Sequence, residues 1–234
     1  MMDARASRAV LAYLKALYSL AEEPHRRAAG GQLGTARRVT TSAIAERLDV
    51  SAPSATNMLK RLAARDLVSY EPYKGASLTK KGRAVALEIV RHHRLLETYL
   101  VEALGVPWEE AHAEAEALES NLSESLEERM FAALGRPQFD PHGHPIPTRN
   151  GSMPKTSRRS LWDMSDGATA RIEQVPDSHP GALRYLAEAG VLPGVKVTIV
   201  SRGPIGGPLF VRIEDDENAP VALSKEITEA IWVQ

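Results

Sequence analysis

The 234-residue chain contains no cysteine. That excludes disulfides, thiolate zinc sites, iron–sulfur clusters and a cysteine nucleophile, and it accords with a reducing compartment. No apolar run approaches 18 residues, so neither a membrane-spanning helix nor a membrane partner is expected. The N-terminal stretch MMDARASRAVLAYLKALYSLAEE has no small-residue cleavage site after a continuous apolar core, so a cytoplasmic protein is expected. H-E-x-x-H, G-x-S-x-G, a P-loop and a G-x-G-x-x-G cradle are all missing, which argues against an enzyme. With only three Phe and three Trp, a peptide-binding face on the C-terminal segment is the lesser reading, since Trp162, Phe210 and Trp232 could all be core.

A strong overall charge is also missing: 29 basic and 30 acidic residues give a net charge of -1. The balance hides a segregation. Residues 1–82 hold 14 basic and 7 acidic residues, and residues 83–135 hold 4 and 11. A basic head suggests a polyanion partner, and an acidic middle suggests a cation site.

What is present has the composition of an ordinary globular protein, 43% hydrophobic and long enough for two or three small domains. Residues 5–23 read as a helix, with Val10, Leu14, Leu17 and Leu20 on one face. Residues 24–38, with one Pro, three Gly and four Arg, read as a long loop that includes His25. Two short helices follow. Thr41 is placed to cap the first, which turns Ile44, Ala45 and Leu48 inward. Ser51 is placed to cap the second, with Pro53 in its first turn and Met58, Leu59 and Leu62 inward. Their joint around Asp49 and Val50 is short enough for a helix-turn-helix.

Residues 67–72, 73–76 and 77–79 then read as strand, turn and strand, a small wing. A long helix is expected up to Leu104, stopped by Gly105, and another from Pro107 to about Leu134. Beyond a Pro-containing segment, short β-like runs at 169–175, 196–201, 209–213 and 231–233, with a helix near 181–189, suggest a small β-barrel. The expected organisation is α+β and multidomain: a winged helix-turn-helix domain at 1–82, a helical domain at 83–147, a linker at 148–162 and a β-domain at 163–234.

In a helix-turn-helix, the start of the second helix enters the major groove. Here it offers Ser51, Ala52, Pro53, Ser54, Thr56 and Asn57, with Thr41 at the start of the preceding helix. Short hydroxyls and an amide can reach base edges, and Ala or Pro can touch a thymine methyl. Lys60, Arg61, Lys74, Lys80 and Lys81 are placed to meet phosphates. A solvated basic face is the alternative for the charges alone.

Among the seven histidines, two align with carboxylates at helical spacing. His93 and Glu97 are four apart, and His112, Glu116 and Glu119 are spaced to share one face. Together they form an N/O ligand set suited to Mn²⁺, Fe²⁺, Co²⁺ or Zn²⁺. A solvated acidic face and a packed His93 are the structural alternatives. His142 and His144 have H-x-H spacing that could chelate, but a structural role is the preferred reading for this Pro/Gly loop.

The order of a winged helix-turn-helix, RHHRLLETYL, HAEAEALES, PHGHPIP and AGVLPG resembles the diphtheria toxin repressor family of metal-dependent regulators, over nearly the whole chain. The resemblance implies a homodimer, built on the middle helices, that binds palindromic double-stranded operator DNA when metal-loaded. It also implies a C-terminal SH3-like domain. It assigns His93, Glu97 and His112 to an ancillary metal site, with Asp177 and His179 as the nearest contributions from the C-terminal domain. The family's primary site departs here. The pattern of Cys or Glu, then Glu, then His reads Glu116, Glu119 and Ser120, and the first-helix ligand position is Ala12, with Lys15 one turn on. Glu116 in place of Cys favours Mn²⁺ over Fe²⁺, with Zn²⁺, Co²⁺ or Cd²⁺ as substitutes in vitro. A winged-helix regulator with a small-molecule effector, or with metal-independent DNA binding, is the alternative that the missing histidine motivates.

Overall fold

The structure, a computed structural model, describes residues 8–22, 38–156, 159–177, 179–214 and 219–234. The loop expected at 24–38, with His25, lies outside them except for Arg38. The chain forms two compact units: Met1–His92 with Pro147–Ser152, and His93–Ile146 with Met153–Gln234.

In the first unit, α1 (Arg8–Glu22) buries Val10, Tyr13, Leu14, Leu17, Tyr18 and Leu20, the stripe its 3.6-residue period places on one face. α2 (Thr41–Arg47) and α3 (Ala52–Ala64) follow, joined through Asp49, which is left-handed at φ 49°. Thr40, not Thr41, caps α2. An N-cap needs an extended backbone, and Thr40 has it, so its hydroxyl accepts from Ala43 N at 3.2 Å. Ser51 caps α3, accepting from Ser54 N at 3.3 Å, and Pro53 sits in the first turn, where its missing N–H is harmless. Leu14, Leu17, Ile44, Leu59 and Leu62 are sealed from solvent. Each such burial stabilises by roughly 1.5–3 kcal/mol.

The wing pairs β1 (Val68–Glu71) with β2 (Gly75–Leu78), Tyr70 opposite Ala76. Its turn falls at 72–74, earlier than the 73–76 expected. Gly75 is already in the strand, opposite Glu71, and must be glycine there, because a Cβ would lie 2.3 Å from Val39 O, whose residue bridges to Ala76. α4 (Lys80–Leu104) starts at Thr79, whose hydroxyl accepts from Gly82 N at 3.0 Å and donates to Asp66 O at 2.8 Å.

In the second unit, the C-terminal half of α4 packs with α5 (Trp108–Leu118) and α6 (Glu124–Ala133). The single helix expected from Pro107 to Leu134 is broken. Glu119–Asn121 is a 3₁₀ turn, Leu122 is extended, and the Ser123 hydroxyl accepts from Leu126 N at 3.3 Å. The polar run Ser120, Asn121, Ser123 explains the break, since such side chains compete for the backbone and favour caps. Ala111 and Ala115 are fully buried in a cluster with Leu95, Leu96, Leu100 and Met130. Their small size brings α5 close to α4.

The C-terminal part is an antiparallel sheet of β3 (Arg159–Ser160), β4 (Thr169–Gln174), β5 (Lys196–Arg202), β6 (Leu209–Ile213), β7 (Val221–Leu223) and β8 (Trp232–Val233). The spatial order is β3-β8-β4-β5-β6-β7. α7 (Pro180–Glu188) inserts Leu183 and Leu186 into its core, and α8 (Lys225–Ala230) precedes β8. β3, β7 and α8 were not anticipated. β3 and the fully buried Leu161 correct the linker expected at 148–162, because a two-residue strand has no period to read and is held by pairing with β8. No helix among the described residues is long and apolar enough to cross a membrane.

Candidate metal centre and DNA-binding face

His93 and Glu97 lie one turn apart on α4 and leave the same face. The buried alanines of α5 bring His112 against them. His93 Nε2 is 3.0 Å from Glu97 Oε1 and 3.1 Å from His112 Nδ1, and His112 Nδ1 is 2.9 Å from Glu97 Oε1. His93 and Glu97 are buried, whereas the His112 side chain keeps 31% of its surface exposed.

Burial pushes the Glu97 carboxyl up, but the charge of His93, hydrogen bonds from His112 and His93, and the charge of His142 hold it well below its ordinary value. It is therefore a carboxylate at neutral pH. Its Oε2 is buried without a hydrogen bond. A buried acceptor left unpaired costs about 1–3 kcal/mol. Two imidazoles and an ionised carboxylate with a spare oxygen, and no thiolate, fit a divalent first-row cation.

Glu119 is buried in the 3₁₀ turn, where its Oε2 accepts from His93 Nδ1 at 2.6 Å. It thus sits behind His93, on the ring nitrogen opposite the one facing Glu97 and His112. A carboxylate in that place fixes the tautomer and orientation of a ligating histidine. The shared face expected for His112, Glu116 and Glu119 does not persist, because α5 ends at Leu118. Glu116 is exposed and is not brought into the cluster.

Asp177 lies at the end of the segment after β4, its Oδ2 3.8 Å from His144 Nδ1. Burial raises its carboxyl and the charge of Glu97 adds to this, but the charges of His144, His112 and His142 together hold it below its ordinary value. His179 is exposed just before α7 and joins no cluster. Ala12 and Lys15 are half-buried on α1.

On α3, Ser51, Ala52, Pro53, Ser54, Asn57, Lys60 and Arg61 are exposed and Thr56 is half-buried, while Ala55, Leu59 and Leu62 face inward. Ser51 is engaged as the cap, and its hydroxyl also donates to Ser54 Oγ at 2.9 Å. Thr41 is half-buried. Lys74 is exposed at the wing tip, 2.9 Å from Glu71, and Arg38 pairs with the same carboxylate. Lys74 and Arg38 hold Glu71 below its ordinary value, the hydrogen bond from Lys74 being the largest influence. Arg38, absent from the sequence reading of the wing, is brought there by the Val39 bridge.

A winged helix-turn-helix followed by helices that gather a thiolate-free His/Glu cluster is the architecture of a metal-responsive transcriptional regulator. The comparisons agree. Residues 7–76 match the iron dependent repressor N-terminal DNA binding domain, residues 79–148 its metal binding and dimerisation domain, and residues 159–234 the FeoA domain. The chain is 32% identical over 240 residues, 95% of each chain, to the iron-dependent repressor IdeR of Mycobacterium tuberculosis. Over 159 residues it is 34% identical to the diphtheria toxin repressor of Corynebacterium jeikeium, covering 66% of this chain and 60% of that one. Its structure resembles that of a manganese-dependent transcriptional repressor in complex with manganese, with TM-score 0.84, 38% identity and coverage of 96% and 98%. It also resembles the manganese regulator SloR, with TM-score 0.76, 26% identity and coverage of 96% and 97%. The chain belongs to the diphtheria toxin repressor family, a family of metal-dependent transcriptional repressors and not of enzymes.

Proposed function

We propose that this protein is a manganese-responsive repressor, a cytoplasmic homodimer that binds a palindromic operator when the centre of His93, Glu97 and His112 is loaded. The convergence of those three side chains downstream of a winged helix carries the reading. A bound divalent cation supplies the positive charge that the unpaired Glu97 oxygen lacks. Glu119 holds the His93 ring so that Nε2 faces the centre. Mn²⁺ is favoured because the donors are nitrogen and carboxylate oxygen only. Fe²⁺ is the runner-up, and Zn²⁺, Co²⁺ or Cd²⁺ would substitute in vitro.

On the DNA side, Ala52, Pro53, Ser54, Thr56 and Asn57 present methyl, hydroxyl and amide groups to base edges. Lys60, Arg61 and Lys74 meet phosphates. Leu104, Leu118 and Leu126 are 62%, 48% and 49% exposed on the helical segment, which supports association through it. Metal acts as effector only by binding the DNA-competent arrangement better than the other.

The test uses a duplex selected by the metal-loaded protein from a randomised pool, with affinity read by fluorescence anisotropy at fixed salt. Mn²⁺ is expected to tighten binding roughly 5–150-fold, the usual size of an allosteric coupling. His93→Ala is expected to lose that response while keeping the metal-free affinity. An intact Mn²⁺ response in His93→Ala overturns the reading. A second reading, a winged-helix regulator answering to a small molecule, draws on Ser120 and on the exposure of Glu116. It takes over if no divalent metal changes the affinity.

A further inference from the structure

The wing turns through Glu71, Pro72, Tyr73 and Lys74, closed by Lys74 N donating to Glu71 O at 3.2 Å. Proline is a usual second residue of such a turn. The third, Tyr73, stands at φ +63°, a conformation that glycine or asparagine takes readily and that strains a bulkier residue. Glycine is used two residues on, where Gly75 takes φ +87° in the same hairpin. At position 73 the chain instead keeps a ring, and the strain that goes with it.

Nothing in the folded chain offsets that strain. Tyr73 is 107% exposed, so its ring buries no surface. The five other tyrosines are all engaged. Tyr13 and Tyr18 are buried, Tyr70 and Tyr99 are half-buried, and the Tyr185 hydroxyl donates to Ala222 O at 2.8 Å. Residues other than glycine held left-handed cluster where a protein clamps a ligand.

The surroundings of Tyr73 indicate which ligand. Pro72 is exposed on one side of it and Lys74 on the other. Arg38 and Lys74 share the single carboxylate of Glu71, which leaves this cluster one positive charge. The wing also follows α3 at once, with Leu67 N donating to Leu62 O at 3.0 Å before β1 begins. On B-form DNA, crossing one phosphate backbone from the major groove leads into the minor groove, about 6 Å wide. A cationic hairpin that meets the backbone beside α3 carries its apolar tip there. Apolar side chains, proline among them, wedge between base steps in that groove.

We propose that Tyr73, with Pro72 beside it, enters the minor groove next to the bases facing α3 and makes operator affinity depend on the base step it meets. The inference rests on DNA binding by the winged helix, and not on which metal loads the centre. A ring at the groove floor meets the exocyclic amino group of guanine on G·C pairs, but only small acceptors on A·T pairs. Affinity then follows the flanking pairs as well as the bases that α3 reads.

The experiment compares the full-length parent, Tyr73→Gly and Tyr73→Phe on the selected duplex by anisotropy, at fixed salt and saturating Mn²⁺. The flanking pairs are A·T, G·C or inosine·C, the last keeping the major-groove face of G·C without the amino group. The parent is expected to bind the A·T and inosine·C duplexes at least about fivefold more tightly than the G·C duplex, the lower end of what one base pair in a site is worth. Tyr73→Phe is expected to keep that preference. Tyr73→Gly is expected to lose it and to bind the A·T duplex at least about fivefold more weakly than the parent does. Relieved of strain, Tyr73→Gly is also expected to melt about 2–4 °C higher. Weaker binding by a more stable protein separates a DNA contact from a structural role. Equal affinity and equal preference in the parent and Tyr73→Gly overturn the proposal. So does a Tyr73→Phe variant that binds as Tyr73→Gly does, which assigns the contact to the hydroxyl and a phosphate. A parent that binds no duplex overturns the DNA-binding reading, and this inference with it.

Discussion

Glu97 holds the candidate centre together at the residue scale. It is fully buried, ionised through its histidine neighbours, and left with one unpaired oxygen. The combination is poor as core packing and sound as a ligand awaiting charge. Glu119 makes the complementary case, acting through His93 rather than beside it. Glu119→Gln keeps the acceptor near His93 Nδ1 but removes the charge, and is expected to weaken Mn²⁺ binding by about 10–100-fold, measured by titration calorimetry. An unchanged affinity would place Glu119 in packing alone. His93, Glu97 and His112 were legible in the sequence because four-residue spacing fixes a helix face and a short connection brings the next helix back. The position of Glu119 was not, because its spacing from His112 was read through a helix that stops at Leu118. Nor did the sequence reveal that Asp177 faces His144, a juxtaposition made by Gly143 and a loop-to-strand hydrogen bond.

At the scale of elements, caps and small residues decide most boundaries. Ser51 fixes where α3 begins, and so which side chains stand on its exposed first turn. Ser51→Ala is expected to cost about 1 kcal/mol, read as a fall in Tm of roughly 2–4 °C. Lys60→Ala is expected to leave Tm alone and to lower the slope of log affinity against log salt by about one. Reversed outcomes would mean that Ser51 is free for DNA and Lys60 is structural. The helix-turn-helix and wing could be read ahead because turn chemistry and apolar period agree there. The two-residue β3 and the third edge of the wing at Val39 could not, since each exists only through its partner. The broken middle helix was in principle readable in Ser120, Asn121 and Ser123, but the apolar period on either side masked it.

At the scale of the whole molecule, the charge segregation of the chain has a physical use. The basic first segment carries the exposed face of α3 and the wing, where polyanion affinity is generated. The acidic middle carries the carboxylates that would hold a cation. One helix, α4, belongs to both, its first residues with the winged helix and His93 and Glu97 with the second unit. Coupling between metal and DNA is then a property of the assembled protein, and it must be reciprocal: whatever factor metal adds to DNA affinity, DNA adds to metal affinity. The most direct measurement is therefore Mn²⁺ affinity with and without the selected duplex at one salt concentration. The account predicts that the duplex tightens Mn²⁺ binding by the same factor by which Mn²⁺ tightens duplex binding, and that His93→Ala abolishes both. Mn²⁺ affinity that is indifferent to the duplex would contradict it.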